Sequence, residues 1–350
     1  MKKMLSLAAM FAVLAYASPA SAEVKFSGDA SIRLRGQFTD TEWLCMEDDE
    51  DDLTFAYRVR LKAAADMGSG YFFKAMLTTD NTVGGWTILN DNLEDTNIEF
   101  SNFYFGRMME NSHYMMGRLP LNSVNNPIFD LALSPDAPLD IPVATVFMDR
   151  VLGLNYGTKI GGGELNTTLV LLNEDSDDDS ALEGDGMFND GYALHLSYKT
   201  NIGKVTFEPQ ALIMLTDGDG MYNDITPHTF GANLTVPAGD AKIGVSGFYT
   251  VCDDDIVDYS GYLLRLKGEI GAFTAWVDYS HTDDNTPGAL TTDYDNYFVW
   301  AQYKYNVYES AMGSFSLTPT VRYLAYSDNF LGADYDYSRL RTELIATVTF

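Results

Sequence analysis

Arg33 and Arg35, Arg58 and Arg60, and Arg339 and Arg341 form three pairs spaced by two, each in a stretch where apolar and polar residues alternate. Arg118 and Arg322 occupy similar stretches singly, and Lys62 and Lys74 extend the set. Residues two apart in a strand share a face, so these bases are expected to point the same way as their polar neighbours. A guanidinium stays charged at any relevant pH and offers five donors in a fixed plane. Such groups along one polar wall suit a fixed field acting on passing ions rather than bond-making chemistry. The acidic counterparts are Asp130, Asp136 and Asp140 in the segment 120–148. That segment holds five prolines, which exclude a ladder strand or a long helix. It also carries Phe129, Leu131 and Leu133, too apolar for a freely waving loop. A long, partly apolar loop is usually functional or folded back on the structure, and here it is expected to face the basic wall.

The elements that must position these residues are legible in the last strand. Leu340, Leu344, Ala346, Val348 and Phe350 share one parity, and Arg339, Arg341, Glu343, Thr347 and Thr349 share the other. The same alternation recurs from Val24 onward. It predicts sixteen strands, roughly 24–38, 53–66, 71–79, 96–108, 113–119, 149–159, 164–173, 191–200, 204–216, 229–237, 241–252, 260–270, 273–282, 294–307, 315–327 and 337–350. Short connections (67–70, 109–112, 160–163 and their like) alternate with long ones such as 39–52, 80–95 and 120–148. A soluble sandwich would leave the charged face of every strand buried without solvent. A water-filled lumen lined by polar residues, with the apolar face toward lipid, resolves this. The fold class is therefore all-β: a sixteen-stranded antiparallel transmembrane β-barrel with short periplasmic turns, long extracellular loops and one infolded constriction loop. In a closed barrel the strands carrying Arg322, Arg339, Arg341, Arg33, Arg35, Arg58, Arg60 and Lys74 are contiguous, so the bases form one positive wall.

The amino-terminus supports export. Lys2 and Lys3 precede an apolar run and a small-residue site, Ala20-Ser-Ala22, the pattern of a cleaved signal peptide. Residues 1–22 are assigned to it, and 23–350 to a single barrel domain. The 350-residue chain carries a formal net charge of −28, and losing Lys2 and Lys3 makes it more negative, which disfavours nucleic acid as a partner. Its 22 Tyr and 20 Phe suit aromatic girdles at two membrane interfaces. Cys45 and Cys252 fall in predicted loops; export permits a disulfide, and paired and unpaired states both stay open. His113, His195, His228 and His281 are scattered without metal-ligand spacing. No Walker loop or dinucleotide fingerprint occurs, and no enzyme activity or cofactor is expected.

The chain resembles the sixteen-stranded general porins of Gram-negative bacteria. Gly117-Arg118 before a long loop is similar to the end of their fifth strand. The stretch from Asp149-Arg150 to Tyr156 resembles their sixth strand. The Pro-Glu-Phe-Gly stretch of enterobacterial constriction loops is absent. The resemblance implies an eyelet made by the arginine wall against Asp130, Asp136 and Asp140. It also implies a homotrimer in outer-membrane lipid and lipopolysaccharide, and recognition of Phe350 by the barrel-assembly machinery. Acidic runs at 47–52, 174–179 and 217–220 are expected at the outer mouth. They read as a negative vestibule that enriches cations, or as divalent-cation sites at Asp48, Asp49, Asp177, Asp178, Asp217 and Asp219. A helix-flanked calcium loop fails, because the twelfth position of a loop starting at Asp217 is His228. The expected function is passive diffusion of small hydrophilic solutes and ions with weak cation selectivity. The alternatives are a substrate-specific channel with an aromatic track (Phe72, Trp276 and Trp300 by parity) and a structural or adhesive barrel.

Overall fold

The computed structural model describes residues 23–43, 46–79, 86–88, 98–120, 126–128, 150–173, 191–216, 226–253, 258–288, 293–329 and 332–350. The strands are β1 (Glu23–Trp43), β2 (Met46–Gly68), β3 (Tyr71–Thr78), β4 (Thr87–Ile88), β5 (Glu99–Met108), β6 (Ser112–Pro120), β7 (Arg150–Ile160), β8 (Gly163–Asn173) and β9 (Gly191–Ile202). They continue as β10 (Val205–Met214), β11 (His228–Ala238), β12 (Ala241–Asp253), β13 (Asp258–Ile270), β14 (Phe273–Asp284), β15 (Asp293–Tyr303), β16 (Tyr305–Ser310), β17 (Gly313–Asp328) and β18 (Tyr335–Thr349). β4 resumes the path of β3 beside β2, and β15 with β16 make one interrupted strand. The result is a closed antiparallel barrel of sixteen strands, sealed by β1 pairing with β18.

Closure follows from the pattern, because a lone edge strand in lipid leaves a row of unsatisfied backbone groups. The seam runs from Asp29↔Thr349 to Trp43↔Tyr335. Beyond it the terminal residue still pairs: Gly28 N donates to Phe350 O at 2.8 Å, and Phe350 N to Gly28 O at 3.1 Å. Burial alternates with parity as expected. On β1, Asp29, Ser31 and Arg33 are buried while Ile32 and Phe38 are more than half exposed, so the buried parity is the inner face. The turn 68–70 places Gly68, Ser69 and Gly70 at positive φ. Gly70 is obligatory there, because a side chain would strike the Met108 carbonyl.

Three expectations about connections change. Residues 39–52 are no loop: β1 and β2 keep pairing up to Trp43↔Met46. A membrane-crossing strand needs only about 9–11 residues, so roughly half of this hairpin projects from the long-loop end. Its acidic run alternates along a strand, putting Asp48 and Asp49 on opposite faces; they cannot share one ion. Cys252 is buried in β12 and faces inward rather than lying in a loop. Cys45, the leader 1–22 and the candidate cation ligands Asp177, Asp178, Asp217 and Asp219 lie outside the described residues.

Two apolar clusters occupy the inner face. One joins Tyr104, Leu119, Val170, Leu212 and Phe248 with the fully buried Ile128. The other joins Leu263, Trp276, Phe298, Trp300 and Leu324. They meet across the β12–β13 pair, where Phe248 is opposite Leu263.

Candidate pore constriction

Inward-facing arginines share neighbouring strands, and carboxylates organise them. β17, β18, β1 and β2 are neighbours, and their inward parities carry Arg322; Arg339 and Arg341; Arg33 and Arg35; and Arg58, Arg60 and Lys62. Cross-strand pairing sets Glu343 opposite both Arg35 and Thr320, and Arg322 opposite Arg341. The Glu343 side chain is wholly shielded from solvent. It accepts from Arg35 Nε and from Arg322 Nη2 at 2.8 Å, with Arg33 Nη1 at 3.8 Å. A carboxylate that deep is tolerable only when paired, and three guanidinia converge on this one. Arg341 Nε donates to Gln37 Oε1 at 2.7 Å.

A second carboxylate does the same lower on the wall. Asp29 is opposite Arg60 and accepts from Arg60 Nε at 2.9 and 3.1 Å, with Lys62 Nζ at 3.8 Å. Farther round the same side of the barrel, on β13 and β14, Arg265 and Asp278, both buried, form a two-point pair at 2.7 and 3.0 Å. Glu343 lies on the polar parity of the last strand by sequence, but the part the three carboxylates play is visible only in the fold. Their signal was present: Glu343 is two residues from Arg341, and Asp29 shares parity with Arg33.

Aromatic rings fill the spaces between these cations. Trp276 and Trp300 stack at 4.7 Å with an 11° interplanar angle. The Arg322 guanidinium lies 4.0 Å from the Trp300 centroid. Arg339 faces inward, 5.9 Å from the Tyr337 ring. The guanidinium carbons of Arg33 and Arg58 each lie 4.6 Å from the centroid of Trp86. Nothing in the sequence pattern pointed to Trp86, which precedes β4 in a segment without alternation. The chain is pinned where it leaves and rejoins the barrel. Thr79 N donates to Val59 O and Val59 N to Thr79 Oγ1, both at 3.0 Å, and Thr87 Oγ1 donates to Thr79 O at 2.6 Å. Ala56, fully buried, lies between Arg58 and Thr54 on the inner face and pairs with Arg33 and Ile88.

Arg118 does not belong to the wall. It pairs with Phe103 and Leu152, residues of the exposed outward parity, and Nη1 donates to the Phe100 carbonyl at 2.9 Å. The inward parity of β6 is that of His113, Met115, Gly117 and Leu119. Gly117 at φ +128° bears no side chain, because a Cβ would strike the Phe103 carbonyl.

The infolded loop is present where it is described. Ile128 is fully buried among inward apolar residues. Asn126 Nδ2 donates to Gln210 Oε1 at 2.8 Å, and Asn233 Nδ2 to Asn126 Oδ1 at 3.3 Å. This anchor lies on β10–β12, across the barrel from the arginines. Asp130, Asp136 and Asp140 lie outside the described residues. His113 and His195 are inward and hydrogen-bonded to Asn155 and Gln210. Among the described residues, metal-ligand spacing occurs at His281, Asp283 and Asp293. That group is on the outward parity of β14 and β15 and has no part in the wall.

Comparison with known proteins places the barrel itself. A family model for Gram-negative porins matches residues 7–350. No curated protein matches by sequence. Among solved structures, the chain is similar to the anion-selective porin from Comamonas acidovorans (13% identity, 93% of this chain and 100% of that chain, TM-score 0.58). It is also similar to the outer membrane channel DcaP of Acinetobacter baumannii (14%, 95% and 99%, 0.57) and to OmpT of Vibrio cholerae in a trimer form (13%, 92% and 99%, 0.55). At that identity the structures speak to fold. With the family match across nearly the whole chain, and a closed barrel whose polar face turns inward, this chain belongs to the Gram-negative porins and is a channel of the outer membrane.

Proposed function

We propose that the channel passes small hydrophilic solutes and ions by passive diffusion, with weak cation selectivity and no cofactor. The carrying observation is the compensated inner wall: Glu343, Asp29 and Asp278 each take up guanidinium charge. These carboxylates offset part of the basic charge, so the field in the lumen is weaker than the arginines alone would make. The mouth, by contrast, is acidic, with the run 48–52 on the projecting hairpin of a chain whose formal net charge is −28. Charged mouths enrich counter-ions within a Debye length, about 8 Å at physiological salt and 30 Å at 0.01 M. The preference for cations therefore belongs to low ionic strength.

A saturable aromatic track has less support. Trp276 and Trp300 face inward as parity requires, but they are 3% and 7% exposed and stacked on one another, so they offer little surface to a solute. The assembly proposed is a homotrimer among outer-membrane lipid and lipopolysaccharide, exported with cleavage after Ala22 and inserted by the barrel-assembly machinery through the Phe350 strand. Exposed Phe100, Phe103 and Phe105 on β5 and the trimer form of the Vibrio cholerae neighbour favour the trimer.

Purified protein in a planar bilayer provides the test. Conductance proportional to bulk conductivity, and a reversal potential showing cation preference at 10 mM salt that fades by 1 M, are expected. Saturating flux would replace diffusion with a binding channel, and anion preference at low salt would overturn the selectivity.

A further inference from the structure

We propose that Trp86 sets how the basic wall meets anions: it occupies the stacking place beside Arg33 and Arg58, so an aromatic ring carried by an anion gains no cation–π contact there and aromatic and aliphatic anions are held alike. The inference rests on the channel reading above. A guanidinium binds in two ways. Its N–H groups point outward in the plane and take carboxylate, sulfonate or phosphate oxygens, and its flat face stacks on aromatic rings. Here Trp86 takes the second place: the guanidinium carbons of Arg33 and Arg58 lie over its indole, each 4.6 Å from the ring centroid. Arg33 Nη1 remains 3.8 Å from the Glu343 carboxylate.

The indole is held for this role. The hydrogen bonds of Thr79 and Thr87 fix both ends of its segment to β2 and to each other, and the Ile88–Ala56 pair closes the register next to it. Trp86 is partly exposed, so it borders open space while its ring is engaged. Arg33 is 5% exposed, and its Nε lacks a partner.

Removing the indole frees the stacking place beside both guanidinia while their positions stay set by β1 and β2. Trp86→Ala should therefore gain a property. Naphthalene-2-sulfonate should bind the purified variant about tenfold tighter than hexane-1-sulfonate, the ratio expected when a ring gains cation–π contact, and should block its current. The wild-type channel and Trp86→Phe should not discriminate between the two. Open-channel conductance should rise in Trp86→Ala. Trp86→Leu keeps the apolar bulk, protects assembly, and should show the same discrimination to a smaller degree.

Calorimetric titration in detergent reads binding without relying on conduction. Equal affinity for both sulfonates in Trp86→Ala and Trp86→Leu overturns the inference, as does discrimination already present in the wild type. A wild-type protein that conducts nothing while its variants discriminate in the calorimeter would sink the diffusion reading and leave the role of Trp86 standing.

Discussion

Glu343 is the residue on which the wall depends most. Three guanidinia converge on a carboxylate with no solvent contact, so its charge keeps Arg33, Arg35 and Arg322 in place. Breaking a buried pair by removing one partner costs on the order of 3–5 kcal/mol, because the remaining charge is left uncompensated. Glu343→Gln should lower the unfolding midpoint in detergent and shift the reversal potential toward anions. Lys242→Gln, at an exposed pair with Glu269, should move neither. An unshifted reversal potential in Glu343→Gln would mean the buried cluster is structural and does not govern permeation. Gly28 has a different task. A Cβ there would lie 2.6 Å from both the Arg60 carbonyl and the Phe350 ring, so the glycine makes room for the terminal aromatic. Its small size, which alone could suggest close subunit packing, is already used within the chain. Gly28→Leu should slow barrel closure, read as persistence of the unfolded band on unboiled gels.

Among the elements, the infolded loop and the β1–β2 hairpin depart furthest from simple strand–turn repetition. Ile128 anchors the loop in an apolar cluster drawn from β5 to β12, while Asn126 reads polar groups on β10 and β11. Truncating a buried Ile commonly costs about 2–5 kcal/mol, and a carboxylate there would lack any partner. Ile128→Asp should detach the anchor and raise both conductance and open-channel noise, whereas Ile128→Val should behave as wild type. Unaltered conductance in Ile128→Asp would show that this anchor does not narrow the pore. The hairpin places its acids in strand register, so the charge is carried on a projecting ribbon.

For the whole molecule, selectivity is a contest between an acidic rim and a compensated wall. Changing Asp48, Asp49, Glu50, Asp51 and Asp52 together to their amides should abolish cation preference at 10 mM salt and change nothing at 1 M, where screening acts within about 3 Å. A preference that survives at 10 mM would assign selectivity to the lumen. Light scattering in mild detergent should return the mass of three chains, and a single-chain mass would refute the trimer.

The sequence by itself determined the barrel. Alternation is local: every second residue faces lipid, and that constraint writes itself into each strand separately, so all sixteen strands, the short turns and the inward parity of Arg33, Arg60, Arg322 and Arg341 were legible. The neighbour order was legible too, because antiparallel strands joined by short turns must be adjacent. Register and handoffs between elements were left to the tertiary structure. Arg118 shows the limit: Gly117 and Arg118 are adjacent, either could have faced the lumen, and only the pairing of Arg118 with Leu152 sends it outward. Glu343 meets Arg35 from 308 residues away and Arg322 from 21 residues away, each on a neighbouring strand. Trp86 reaches two arginines from a segment with no period at all. Such contacts depend on which residues closure of the ring brings opposite one another, and a single strand carries no record of that.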